Sequence, residues 1–535
     1  MIALWPVMAL GAALAMVLAS RLLLHYFQLE SYQFQGYFRT LLRQWKKAFY
    51  PGAVLFSVFC ALHAILYLAL QKYNAGFLSY ALLIAAALIF VVFGYWQQKK
   101  ATQTPQKKKF VITARVKRLY AVHGILLLVL MIFCYRWTGI PSLFKAPVLA
   151  LLLPFVVALS AVIALPIEKT IFHLYFRDAE KKLLENDKLI RIGITGSYGK
   201  TSTKFILNTI LSQKFNVLAT PASFNTPMGV TRIVRERLSP SHQIFIGEMG
   251  ARHVGEIKEL ARLVHPTIGI LTAVGPQHLD TFRTIERIEK TKYELIDALP
   301  EDGFAVFSHD GAIVTKLHDK TQKPKALVGT ENGDVWAENV HVSPEGSHFT
   351  LQIRGWEPME CVTPLLGEHN IQNILMACAV ARHLGMNREQ IARGIAALRP
   401  VEHRLQLLRS AGGITVIDDA FNTNPRSSKE ALKVLSSFPG RRIIVTPGMV
   451  ELGTEEDRYN YEFGLAMADA VDIAVLVGKK HTLPIQKGLK EKGFPEENIH
   501  AVASLDEALA FNRENLRPGD VVMYENDLPD HYSEG

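Results

Sequence analysis

The sequence predicts an α-helical membrane domain followed by two α/β domains, the second of them Rossmann-like. Three observations predict it. Five apolar blocks separated by short polar or basic loops fill the first third of the chain. A glycine-punctuated loop, RIGITGSYGKTSTK over 191–204, joins a short apolar run to a helical pattern. Strand-like and helix-like stretches then alternate towards the C-terminus, the mark of a parallel sheet with crossover helices. The expected organisation is a membrane domain over 1–184, a central α/β domain over 185–402 and a C-terminal α/β domain over 403–535.

The apolar blocks lie at 2–24, 51–70, 77–96, 119–135 and 146–165. Each is roughly 17 to 23 residues, enough for a helix to cross a hydrocarbon layer of about 30 Å. The first block lacks a basic leader and a small-residue cleavage site, so it reads as a retained span. Arg39, Arg43, Lys46 and Lys47 fill the first loop, and Lys99, Lys100, Lys107, Lys108, Lys109, Arg115, Lys117 and Arg118 the third. The second and fourth loops carry little charge. The positive-inside rule therefore places the N-terminus outside and everything after Pro166 in the cytoplasm, a multi-pass topology in the cell membrane.

Aromatic residues crowd the first loop, from Tyr26 to Tyr50, and suit either anchoring at the interface or gripping a lipid-linked substrate. His63 and His123 fall within spans and read as neutral, bundle-facing side chains. The segment 167–184 spaces its apolar residues as an interfacial helix does, ahead of a polar linker.

Net charge is +10, from 59 basic and 49 acidic residues, and the excess sits between the apolar blocks. That distribution points to lipid rather than nucleic acid. Cys60, Cys134, Cys361 and Cys378 show no CxxC spacing, so they read as reduced packing residues without a disulfide or metal knuckle.

The loop at 191–204 is a phosphate cradle. Glycines let backbone N–H groups turn towards phosphate oxygens, the following helix presents its positive end, a lysine neutralises charge and a threonine hydroxyl can hold Mg²⁺. The candidate ATP-binding positions are Thr195, Gly196, Ser197, Gly199, Lys200, Thr201 and Ser202. The spacing is TGxxGKTS, a variant of the usual GxxxxGK[ST]. Downstream, strand-like 244–251 and 268–282 place polar residues at strand ends, where parallel sheets build their sites. The candidates there are Asn225, Thr226, Glu248, His278 and, on the next helix, Lys292.

Residues 333–366 alternate with β-branched and aromatic content, and predict a small antiparallel excursion closed by a helix that begins at GEHNIQN. The segment RPVEHRLQLL then joins the last domain. Stretches at 414–421, 441–449, 471–478 and 520–526 read as its strands, with no GxGxxG between them, so dinucleotide binding is not expected.

Seven motifs, TGSYGKTS, SFNTPMGV, GEMGA, PQHLDTF, EKTKYELI, GEHNIQN and DDAFNTNP, occur in the order and approximate spacing of the Mur ligase family. The chain resembles that family over about residues 190 to 525, and most of all its D-alanyl-D-alanine-adding members. The resemblance implies ATP-dependent amide ligation through an acyl phosphate, joining a cell-envelope precursor carboxylate to an amino-acid or dipeptide amine. Lys200 would then bind the β and γ phosphates. Two Mg²⁺ ions would be held by Thr201, Glu248, His278 and a carbamylated Lys292. Asn370, Asn373, Arg404 and Asp419 would attend the nucleotide, and Asn225, Thr226, Asn422 and Asn424 the substrates.

The departures are specific. Ala273 stands where the family carries Asn, and Gln277 where it carries a small residue. Phe421 stands for a common Tyr, and a KGSR-like end has become YENDLPD, with Glu525, Asp527 and Asp530. Spans replace the soluble domain that grips a UDP-sugar. A membrane-associated polymer-forming ligase of the poly-glutamate synthetase kind is the rival enzyme. A scaffold with a decayed ligase core is disfavoured by the intact motif residues, and an ATP-driven transporter by the lack of LSGGQ.

Overall fold

The computed structural model describes residues 5–72, 77–103, 109–136, 142–222, 224–309, 311–409, 412–421 and 423–527. They form two compact units, one ending at His173 and one beginning at Leu174.

The first unit is helical: Trp5–Ala19, Arg21–Leu29, Phe34–Arg43, Trp45–Lys72, Phe77–Gln103, Ala114–Arg136, Ser142–Leu151 and the start of Leu153–Leu184. By length and composition, four described helices are apolar and long enough to cross a membrane, and up to five if the pair Pro6–Ala19 and Arg21–Leu29, bent by 41°, counts as one span. Helix approach relies on small residues. A Cβ on Gly94 would come 2.5 Å from the Ala15 carbonyl oxygen, and Ala9, Ala12 and Ala15 are buried. Such contacts let the helix backbones pack closely. His123 lies between Ser20 Oγ and Ser160 Oγ, 2.8 Å from each, and His63 pairs with the Phe59 carbonyl and the Tyr135 hydroxyl. Both histidines thus have hydroxyl partners on other helices.

Two expectations need correction here. The block 146–165 is divided at Leu152 between two helices, and 167–184 is not a separate interfacial helix but the continuation of Leu153–Leu184. Pro166 sits inside that helix without ending it. Proline removes one backbone bond, and the helix formers on either side carry the pattern through.

The second unit holds two sheets. The first contains β1 (Ile190–Thr195), β2 (Val217–Ala219), β3 (Ile244–Glu248), β4 (Ile268–Leu271), β5 (Phe304–Ser308), β6 (Lys325–Val328), β7 (Val335–Ser343), β8 (Gly346–Ile353) and β9 (Met359–Thr363). Their order is β2-β3-β1-β4-β5-β6-β7-β8-β9, parallel as far as β7 and antiparallel across β7, β8 and β9. The predicted antiparallel excursion is therefore real and extends the same sheet. The inner strands are buried on both faces, which explains their nearly continuous apolar sequence. Ile206, Leu207 and Ile210 of helix Lys200–Leu211 share one core with Ile374, Leu375 and Cys378 of helix Glu368–His383. Because β1 is flanked by β3 and β4, the strand order reverses at its end, and the crevice there receives the phosphate loop.

The second sheet contains β10 (Gln406–Arg409), β11 (Thr415–Asp419), β12 (Arg442–Thr446), β13 (Ile473–Val477), β14 (Ile499–Val502) and β15 (Val521–Glu525), in the order β10-β11-β15-β12-β13-β14. All pairs are parallel except β10 with β11. Part of the predicted joining segment is thus an edge strand. All four cysteines are unpaired, and Cys134, Cys361 and Cys378 are buried.

Candidate active site

The phosphate loop needs its glycines. Gly196 has φ 148°, and a Cβ there would meet Thr272 Oγ1 at 2.0 Å; Gly199 has φ 77°, and a Cβ there would meet Asn373 Oδ1 at 2.8 Å. Both positions combine a left-handed backbone with close packing, which excludes side chains. The loop is tied to the segment after β4. Ser197 N–H donates to the Ala273 carbonyl at 2.7 Å, Ser197 Oγ donates to the Gly275 carbonyl at 2.9 Å, and the Tyr198 hydroxyl donates to the Pro276 carbonyl at 2.7 Å. Thr195 is fully buried and donates to the Met249 carbonyl at 3.0 Å.

Lys200 opens the helix and folds back on its own loop, donating to the carbonyls of Gly196 at 2.6 Å and Ser197 at 3.1 Å. Burial pushes its ammonium down to about 8, against the pull of Glu248. Ser202 lies on the first turn of the same helix, half-buried.

Glu248, at the C-terminal end of β3 and 1% exposed, gathers this side of the site. Its Oε1 accepts from Thr201 Oγ1 and from Asn225 Nδ2, both at 3.1 Å, and its Oε2 accepts from Lys204 Nζ at 2.9 Å. Lys204 is fully buried and also reaches the Ala222 carbonyl. The next-door Thr226 serves its own helix, accepting from Gly229 N–H at 3.3 Å as an N-cap.

His278 adopts φ 51° and places Nδ1 at 2.6 Å from Glu451 Oε2, a residue of the C-terminal domain. Arg252 holds the other oxygen of Glu451 at 3.3 Å. Burial lowers the pKa of His278, against the hydrogen bond and charge of Glu451. Lys292, 1% exposed on helix Ile285–Asp297, is driven well below the ordinary lysine range by burial and by the charge of Lys200.

Asn370 and Asn373 are buried at the start of helix Glu368–His383. Asn373 Oδ1 accepts from Thr203 Oγ1 at 3.0 Å, its amide donates to Asn370 Oδ1 at 3.3 Å, and Asn370 donates to the Leu366 carbonyl at 2.8 Å. This chain braces the phosphate-loop helix from below.

From the C-terminal domain, the Arg404 guanidinium lies 4.3 Å from the ring centre of Phe421, and burial lowers its pKa against the charges of Asp419 and Glu248. The flat ring that replaces a tyrosine thus keeps a packing role. Asp419 accepts from Leu405 N–H at 3.1 Å, and burial with neighbouring Glu525 pushes its carboxyl up to about 7. Asn424 caps helix Pro425–Ser436, accepting from Arg426 N–H and Ser427 N–H at 3.0 Å each. Asn422 lies outside the described residues, as do Lys107, Lys108 and Asp530.

Among the described residues, no three His, Cys, Asp or Glu side chains gather to hold a metal ion. The donor set nevertheless fits Mg²⁺. Thr201 and Glu248 put hydroxyl and carboxylate oxygens side by side. The Nδ1 of His278 is engaged by a carboxylate, which leaves Nε2 to face a ligand, the usual arrangement of a metal-bound histidine.

Two family models match the chain, the Mur ligase middle domain over residues 194–381 and the Mur ligase glutamate ligase domain over 403–524. The UDP-N-acetylmuramoyl-tripeptide–D-alanyl-D-alanine ligase of Bacillus subtilis is 31% identical over 336 residues, covering 62% of this chain and 72% of the relative. The chain belongs to the Mur ligase family. The ligase of the same name from Escherichia coli is 33% identical over 309 residues, covering 56% of this chain and 67% of that protein. Among solved structures, MurF from Acinetobacter baumannii superposes with a TM-score of 0.62 at 26% identity, over 68% of this chain and 78% of that one. The helical first unit precedes both matched regions of this Mur ligase.

Lys204 and Glu451 escaped the sequence reading. Lys204 had a signal, since it lies one helical turn after Lys200 and four residues apart share a face. Glu451 had none, because it meets His278 across 173 residues of chain.

Proposed function

We propose that this Mur ligase is an ATP-dependent amide ligase of peptidoglycan-precursor synthesis, adding D-alanyl-D-alanine or another amine to a muramoyl-peptide carboxylate. The observation that carries the reading is Glu248, which holds Thr201, Asn225 and Lys204 at the mouth of the phosphate loop.

The N–H groups of residues 196–202 and the helix end behind them suit the phosphates of ATP. Lys200, held on loop carbonyls in this structure, moves its Nζ onto the β and γ phosphate oxygens. The substrate carboxylate attacks the γ phosphorus, ADP leaves, and an acyl phosphate remains; the amine then displaces phosphate. Charge develops on phosphoryl and then tetrahedral oxygens, so Lys200 and fixed donors such as Asn225 lower both barriers. Two Mg²⁺ ions, when bound, supply Lewis-acid polarisation of the phosphoryl oxygens. Thr201 and Glu248 would hold one, and His278 with a carbamate on Lys292 the other. A neutral lysine can add to CO₂, forming the N–C bond and releasing a proton, and burial favours the neutral form of the Lys292 amine. Asn370, Asn373, Arg404 and Asp419 attend the nucleotide, and Thr226, Asn422 and Asn424 the substrate side.

The helices of the first unit set this chemistry at the cytoplasmic face of a membrane. Their apolar lengths and the basic first and third loops support that placement. A cysteine introduced at Lys117 should react with an impermeant thiol reagent only from the cytoplasmic side, and labelling from outside would reverse the topology.

The acyl phosphate is tested by isotope transfer. With ¹⁸O in the acceptor carboxylate, each turnover should deliver one labelled oxygen to inorganic phosphate. Phosphate free of label would exclude this mechanism.

A further inference from the structure

Glu525 ends β15 and is fully buried, in register with Asp419 at the end of the neighbouring parallel strand β11. Its Oε2 accepts from the Thr446 hydroxyl, and the Thr423 hydroxyl also faces the carboxyl, whereas Oε1 is left without a hydrogen bond of good geometry. Ionised, that oxygen lacks a donor; protonated, it lacks an acceptor. A buried carboxyl oxygen in this condition calls for a ligand atom.

The surroundings select the ligand. Asp419 and Asp418 come from β11, and Arg404 from the segment before β10, where it faces Asp419. His403 engages Asp418 at 2.8 Å. From β12 comes only the Thr446 hydroxyl, and after β15 the Asn526 amide is spent on the Gly448 carbonyl and Thr423 N–H. Among the described residues, three carboxyls thus gather with one arginine and one histidine, and the open acceptor lies on Glu525. Arg404 works against a divalent ion, and a single oxygen offers such an ion too few ligands. A monocation that brings N–H donors satisfies both the charge and the open acceptor. Asp419 is half-buried, which leaves an approach on its side, at the strand ends where α/β sheets bind ligands.

We propose that Glu525 receives the ammonium of the amine co-substrate and takes its proton before the amide bond forms. The inference rests on the ligase reading above. The ammonium gives one proton to the Glu525 carboxylate, and the freed nitrogen lone pair bonds to the acyl carbon. The C–O bond to phosphate then breaks with its electron pair on phosphate, which accepts the second nitrogen proton. Burial pushes Glu525 up to about 7, which suits a group that takes a proton near neutrality.

The test uses the full-length protein in detergent with ATP, UDP-N-acetylmuramoyl-tripeptide and D-alanyl-D-alanine. Hydroxylamine trapping without the dipeptide reports the acyl phosphate; phosphate release against dipeptide concentration reports the amine step. The wild-type kcat/KM for dipeptide should rise through about pH 7 and fall again above about pH 8, because the ionised carboxylate and the ammonium form must meet. In E525Q, hydroxamate formation should stay within about twofold of wild type. Its kcat/KM for dipeptide should fall about tenfold or more, rising only through the amine's own pKa of about 8. Wild-type kcat/KM that rises only through about pH 8 would overturn the inference even if E525Q does not fold, as would an E525Q profile equal to wild type. Wild-type protein that forms no hydroxamate would overturn the ligase reading, and this inference with it.

Discussion

The imidazole of His278 and the carboxylate of Glu451 meet at 2.6 Å, joining the middle domain to the C-terminal domain at the edge of the phosphate site. Arg252 holds the second oxygen of the same carboxylate at 3.3 Å. This contact fixes which ring nitrogen of His278 remains to act. Glu451→Gln should lower ligase activity about 10- to 100-fold, the usual cost of losing a carboxylate behind a ligating histidine. Thermal unfolding should change little. Activity within twofold of wild type would remove His278 from the site's working set.

Lys204 and Glu248 form a buried ion pair at 2.9 Å, with exposures of 0% and 1%. Lys204→Met strands the Glu248 charge and should destabilise the protein by about 3 to 5 kcal/mol in denaturant unfolding. The double variant Lys204→Met, Glu248→Gln should lose less than the sum of the two single losses. Additive losses would mean that the two groups do not interact.

Gly196→Ala tests the loop's geometry. Its Cβ would lie 2.0 Å from Thr272 Oγ1, in a backbone conformation with φ 148° that alanine resists. The variant should fold with its sheets intact by circular dichroism, yet lose ATP binding by at least about tenfold in calorimetry. Wild-type affinity would show that the loop does not seat the phosphates.

Much of this arrangement was legible in the sequence because it is local. The loop at 191–204, the apolar strands around it and the antiparallel strands after 333 each announce themselves within a dozen residues. What escaped depends on distant partners. β10 looked like a joining segment because an edge strand of four residues carries no periodicity, and only its pairing with β11 makes it a strand. Glu451 and Lys204 owe their roles to packing across the fold. Thr226 and Asn424 also cap helices, a use that residue type and position allow and that only the structure displays. The helix Leu153–Leu184 outran its predicted break because Pro166 alone does not outweigh its neighbours.

Glu525 also leaves a mark on stability. Its carboxyl is raised from 4.5 to about 7 on folding, so the folded state holds a proton that the unfolded chain has lost across that window. Stability from this group is therefore complete below the unfolded value and declines as pH rises towards about 7. E525Q has no such proton to lose. It should gain on wild type by up to about 3 kcal/mol near pH 8, and the gain should vanish in acid. A difference between the two proteins that does not vary with pH would place the Glu525 titration elsewhere.

The most direct measurement follows phosphate and amide together. Full-length protein with ATP, Mg²⁺, UDP-N-acetylmuramoyl-tripeptide and D-alanyl-D-alanine should release inorganic phosphate in equal amount to the amide formed, and only when both substrates are present. Lys200→Ala should abolish both. Phosphate released without the amine at the full rate, or a Lys200→Ala protein as active as wild type, would contradict the account.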